Sequence, residues 1–390
     1  MKQHNSSTLS FEAVSVTRRS SLRRRLLAAG WIVFYVVLLD ASLNLLFPYP
    51  RNLHEVRPGP LQQYLEFGRS VEGKLQRMTG KTNADSAPIL PAGWMEREAY
   101  EELPKKAEGE HQMLVAAYGM SHTHLLADAM ADQDERVVTR AVTAPGAPAN
   151  WSYAAFEYDR ERRKADVVIL GVMTDGVAGI SSTSGATLHF EHPYAYVYPR
   201  YQIEAERLRG EWPPFLDLKT YRETFFNLET WDSYKAWLAQ HDNYYDPLLY
   251  NASIFDRSVF LRILRRAYAA SCGRRRSGEV YDQDGFNLES EEVTILRKIV
   301  SEFARLARED GSLPVVYIVN NQGRADHVYT ALLPVLTEHN IAHLSSHVIC
   351  PPSNPRLFLV RNSHFIPSKD RELALAMIKI IDERRRAPGR

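Results

Sequence analysis

The stretch MLVAAYGMSHTHLLADAM, residues 113–130, decides the fold. Met113 to Tyr118 is a continuous apolar run of strand length, Gly119 is a small residue at its end, and a helical pattern then runs through Met130. An unbroken apolar run of this kind is a strand buried on both faces, which is how strands of a parallel sheet read. Working outward, the strands Val137–Val142 and Asp166–Val172 repeat the signal, with a helix over about Trp151–Arg163 between them. Further on come a helix Ser290–Arg308, a strand Pro314–Val319, a helix His327–His339, a short strand Ala342–Leu344 and a last helix Arg371–Arg384. Strands alternating with helices predict an α/β domain over residues 111–386, built on a central, mostly parallel sheet with helices on both faces.

Residues 176–290 interrupt the alternation. They carry Tyr194, Tyr196, Tyr198, Tyr201, Trp212, Trp231, Trp237, Tyr244 and Tyr245. This is too irregular for a repeat and too apolar for a linker. It reads as an insertion packed over one end of the sheet, its aromatic residues forming local core, with a sugar-binding platform as the alternative.

Toward the amino terminus, Leu26–Phe47 reads LLAAGWIVFYVVLLDASLNLLF. As a helix this run is ~33 Å long, enough to cross a hydrocarbon core of about 30 Å. Arg18, Arg19, Arg23, Arg24 and Arg25 stand before it, so the positive-inside rule keeps residues 1–25 in the cytoplasm and exports the rest. Asp40 and Asn44 are its polar interruptions, both in the distal half, where a side chain can reach the interface or a partner helix. Pro48 and Pro50 end the helix. A cleaved signal peptide and a buried core helix are the competing readings. Residues 1–17 read as a disordered polar tail, and residues 48–110 as a polar stalk leading into the domain, with a helix around Leu61–Met78.

Bulk properties narrow the function. With 45% hydrophobic and 24% charged residues in 390, a sizeable core is available, and a net charge of +1 gives no global field for nucleic acid, which is not an expected partner. Cys272 and Cys350 are too few for a disulfide scaffold; a single pair or two separate buried thiols both fit.

A strand that turns directly into a helix presents the turn residue at the carboxyl edge of the sheet, where open α/β folds bind ligands. Ser121 sits on such a turn, beside the backbone N–H groups of a helix start that suit an oxyanion. A serine nucleophile needs a base, and His364, in Arg361-Asn362-Ser363-His364 before the last helix, is the best candidate.

With these residues in place the chain resembles the SGNH (GDSL-type) hydrolases. Ser121 matches the nucleophile of the first motif block, whose own N–H joins the oxyanion hole. Gly146, in the turn after the second strand, matches the glycine of the second block. Thr174-Asp175 falls where that family carries Asn-Asp, and His364, followed by Pro367 and a helix, matches the base. The resemblance implies a three-layer, flavodoxin-like sandwich and a serine esterase or O-acetyltransferase working through an acyl-enzyme, with no cofactor and no metal. The amino-terminal anchor and long insertion are similar to exported members that modify envelope polysaccharides. That similarity implies a bilayer, an acylated glycan or polysaccharide, and other membrane proteins of such a system as partners. The departures are Met120 for the aspartate before the serine, Thr174 for the oxyanion asparagine, and Arg361 for the aspartate three positions before the histidine. Asn362 could orient a neutral imidazole in that aspartate's place, without its charge.

Plainer roles exist for each residue: Ser121 as a helix N-cap, His364 as a surface or capping histidine, and Asp175-Gly176 as a simple turn. Two other functions compete. His122 and His124 could hold a metal if the pair ended a barrel strand, though later histidine pairs are lacking. Alternatively the fold is kept without catalysis, as a glycan-binding or assembly protein of the envelope.

Overall fold

The computed structural model describes residues 12–50, 53, 55–320, 322, 324–359 and 364–386. Five strands form one sheet: β1 (Met113–Gly119), β2 (Val137–Thr143), β3 (Val167–Met173), β4 (Leu313–Val319) and β5 (Ala342–Ser345). Their order is β2-β1-β3-β4-β5 and every pairing is parallel. β1, β3 and β4 are buried almost throughout, as their unbroken apolar sequences require, whereas the edge strand β2 is buried only at alternating intervals.

Helices cover both faces. α1 (Glu12–Leu46) precedes the domain; the covering helices are α2 (Ser121–Gln133), α3 (Ala149–Asp159), α5 (Glu291–Glu309), α6 (His327–Glu338) and α7 (Pro367–Arg386), with α4 (Val259–Val280) lying in the insertion. α2 and α7 pack on each other over one face, while α3, α5 and α6 cover the other. The last helix starts four residues before the sequence expectation because Pro367, with no N–H to leave unsatisfied, opens it.

At the carboxyl end of the sheet, Thr123 of α2 lies directly on two glycines. A Cβ on Gly119 or on Gly171 would stand 2.2 or 2.0 Å from Thr123 Oγ1. Only glycine in both strands lets the helix start this close to the sheet. At the edge strand, the buried Arg140 of β2 donates to Asp159 Oδ1 and Oδ2 (2.6 and 2.8 Å) and to the carbonyls of Tyr100, Leu103 and Pro104. Tyr118 Oη donates to the same carboxylate at 2.6 Å. This network fastens the segment before β1 onto the domain, where Leu75, Leu90, Trp94 and Tyr100 join the common core.

Within that segment two helices, Pro60–Glu66 and Val71–Met78, stand where the sequence suggested one around Leu61–Met78, and a short helix Arg97–Glu101 follows. Between them Gly68 lies against the Arg262 backbone, where a Cβ would meet its carbonyl oxygen at 1.8 Å, and the extended Ser70 caps the second helix by accepting from Gly73 N–H. Residues 12–17, expected in a disordered tail, are the first turns of α1; residues 1–11 lie outside the described residues.

α1 is long and apolar enough between Arg23 and Leu46 to cross a membrane, and its side chains from Arg23 to Leu39 are exposed. Its polar interruptions meet the insertion. Asp40 Oδ1 accepts from Ser258 Oγ (3.0 Å) and Phe260 N–H (2.9 Å) at the start of α4, and Asn44 Oδ1 accepts from Arg262 Nη2 (3.0 Å). The insertion's aromatic residues are largely core: Tyr196, Tyr198, Tyr201, Tyr221, Trp231, Tyr234 and Tyr250 are buried. Cys272 and Cys350 are separate, buried free thiols.

The glycine contact yields a stability prediction. Gly171→Ala should cost about 1–3 kcal/mol by overpacking, and adding Thr123→Ala should recover much of that loss. Urea unfolding of the two single variants and the double variant measures the coupling. Strictly additive effects would show that Thr123 does not press on this strand.

Candidate active site

Ser121 is the first residue of α2, and Met120, extended at φ −93° and ψ −176°, is its N-cap. Met120 O accepts from Thr123 and His124 N–H (2.9 and 3.2 Å), which closes the first turn. The serine hydroxyl is therefore not spent on capping the helix. It instead meets His364 Nε2 at 2.6 Å, across 243 residues of sequence.

His364 is held by backbone pairing of the segments on either side of it. Leu359 N–H donates to His364 O (2.7 Å) and Ile366 N–H to Leu357 O (3.0 Å), with Phe358 bridged to the buried Phe365. α7 follows immediately and packs on α2, so the packing that seats the two helices also brings base and serine together. Burial pushes the His364 imidazole below its usual range. A neutral ring with its proton on Nδ1 leaves Nε2 free to accept from the serine hydroxyl, which is the state a general base needs.

Gly146 lies in the turn after β2 with φ +64°, a conformation that favours glycine. Ala144 N–H donates to Gly119 O (3.0 Å), tying this turn to the end of β1 beside Ser121. Thr174 follows β3 and is buried, and its hydroxyl donates to Val319 O and Asn320 Oδ1 at 3.4 and 3.3 Å. Asp175 pairs with Arg324 Nε at 3.4 Å; burial raises its carboxyl while the arginine opposes the rise. Ser121, Gly146 and Thr174 thus follow the carboxyl ends of the three adjacent strands β1, β2 and β3, and His364 comes over from the segment before α7. Asn362 and Arg361 lie outside the described residues.

Two histidines, His122 and His189, make contacts at the site that the sequence reading did not assign them. His122 is buried and lays its ring against His364, with centroids 4.7 Å apart, and against Phe365. His124 is half exposed and pairs with Asp128. The His-x-His pair lies in a helix, its members diverging, and does not end a strand as the metal reading required. His189, from the insertion, donates from Nε2 to Gly146 O at 3.2 Å and would meet any Cβ at that position. Nothing in the periodicity marks His189. His122 had one signal, its adjacency to the serine.

The site lies where the 2-1-3-4-5 strand order reverses, between β1 and β3, the place at which open α/β sheets take ligands. No family model matches the chain, and no curated protein matches it. Among solved structures it is similar to a Bacteroides fragilis protein provisionally described as an acylhydrolase, at 11% identity over 75% of this chain and 99% of that one, with a TM-score of 0.35.

The Thr174 geometry separates two roles by rate. Loss of a working oxyanion donor costs about 10²–10³ in turnover. With its hydroxyl held by Val319 and Asn320, if the site turns over esters, Thr174→Ala should lower that turnover by less than about tenfold on that scale. A hundredfold loss in steady-state assays would make Thr174 an oxyanion donor after all.

Proposed function

We propose that this protein is a membrane-anchored, exported ester hydrolase or O-acyltransferase of the SGNH type, acting on an acylated envelope or exported polysaccharide. The observation that carries the catalytic part is the 2.6 Å contact between Ser121 Oγ and His364 Nε2. In this reading Ser121 Oγ attacks the acyl carbonyl as its proton passes to His364 Nε2. The oxyanion forms against the positive end of α2, facing the N–H groups of Ser121 and Gly146. His364 then protonates the departing alkoxide. Water or a sugar hydroxyl, deprotonated by His364, resolves the acyl-enzyme and gives hydrolysis or transfer. The exposed apolar α1 and its arginines support the anchor and its orientation. The glycan substrate and the envelope partners rest on the family resemblance.

A second reading, a non-catalytic glycan-binding or assembly protein on the same fold, draws support from Thr174, whose hydroxyl is engaged elsewhere.

A serine-reactive phosphonate decides between the two. Wild type should be labelled, Ser121→Ala should not, and His364→Ala should be labelled about 10²-fold more slowly or worse. Absence of Ser121-dependent labelling leaves only the non-catalytic reading. The pH profile provides a further check. The base must be unprotonated, and burial lowers its pKa, so the acid limb of kcat/KM on a small acetate ester should have its midpoint below the ordinary histidine value of about 6.5. A midpoint above 7 would mean that another group, or a differently placed His364, controls turnover.

A further inference from the structure

We propose that the cavity at the foot of α1 binds the phosphodiester headgroup of an anionic membrane lipid through Arg69, Arg77 and Arg262. The inference rests on α1 being a membrane span and is independent of the serine site. The cavity, about 180 Å³, is lined by Asn44 and Phe47 at the end of α1, by these three arginines and by Glu66. Glu66 is buried and pairs with all three: with Arg69, with Arg262, and with Arg77 at 2.6 Å. A carboxylate offers two oxygens, while each guanidinium brings five N–H donors and a full charge. The lining therefore holds three cations against one anion.

Of the neighbouring carboxylates, Asp256 pairs with Arg265 and Glu191 pairs with Arg266, so their charges are balanced elsewhere. Asp40, held by the neutral Ser258 hydroxyl and Phe260 N–H, acts on Arg262 as a second anion, which leaves three cations against two. Arg262 is 5% exposed, and its Nε–H has no hydrogen-bond partner among the described residues. Buried charges are ordinarily paired, and an uncompensated cluster draws an anion. Burial also depresses the Arg77 and Arg262 guanidiniums below their usual range, as expected of cations short of compensation.

Position selects the anion. Arg262 Nη2 donates to Asn44 Oδ1, two residues before α1 ends at Leu46. With Arg23–Leu46 crossing a core of about 30 Å, this end of the helix stands at the lipid headgroups. Guanidinium forks match phosphate oxygens, and Leu45 and Leu46, adjacent in sequence to the cavity-lining Asn44 and Phe47, are exposed apolar residues at the same end of the helix. A free phosphate would use the arginines but gain nothing from an apolar surface.

The test reconstitutes the full chain in nanodiscs of phosphatidylcholine with phosphatidylglycerol as the minor component, and counts retained lipid by native mass spectrometry. Wild type should retain phosphatidylglycerol in preference to phosphatidylcholine. Arg69→Gln and Arg77→Gln should each weaken that preference about fivefold. Glu66→Gln, which removes the competing carboxylate, should strengthen it, a direction that misfolding would not produce. A parallel arm adds inorganic phosphate, which should displace little lipid. The proposal is overturned if wild type shows no preference, if Glu66→Gln weakens it, or if inorganic phosphate displaces the lipid fully.

Discussion

Thr123 lies across two glycines in neighbouring strands, where no side chain on either strand could share the space. That contact sets how far α2 stands from the sheet, and hence where Ser121 presents its hydroxyl above the strand ends. Because α7 packs on α2, the position of His364 follows from the same contact. A serine and a base that must meet within hydrogen-bond reach tolerate little displacement, since an ångström of misplacement can cost 10²-fold in rate. The Ser121–His364 pair is thus held by close packing on the sheet, two residues downstream of the serine itself.

The margins of the sheet are handled differently. β5 is short, which limits one exposed edge. On the other edge, Arg140 reaches out of β2 to gather Asp159 and three carbonyls of the preceding segment. Removing one partner from so buried a pair leaves a charge without compensation, a change that typically costs about 3–5 kcal/mol. The network therefore makes the segment before β1 integral to the domain.

The central strands were legible because burial on both faces leaves an unbroken apolar signature, as in VVIL of β3 and VVYIV of β4. The Ser121–His364 pairing was legible for a topological reason: a loop before the last helix of such a sheet can return to the end of the first strand. Features set by close approach between distant segments were not legible. Position 68 must be glycine because the Arg262 backbone, nearly two hundred residues later, comes against it. His189 carries no pattern that links it to Gly146, and Thr174 gives no sign in sequence that its hydroxyl is engaged by Asn320. Asp40 and Asn44, read as interruptions of an apolar helix, are contact points whose partners lie in the insertion.

Those two contact points have a mechanical consequence. A catalytic head on a loose tether sweeps a hemisphere above the bilayer, and its encounter rate is governed by tether length. Here α4 grips α1 one helical turn apart, at Asp40 and at Asn44. With α1 in a bilayer, that grip fixes both the tilt and the azimuth of the head, so the mouth of the serine site stays at one height and faces one direction. Under the proposed function the substrate is delivered to the site at that height and from that side, rather than found by a sweeping search.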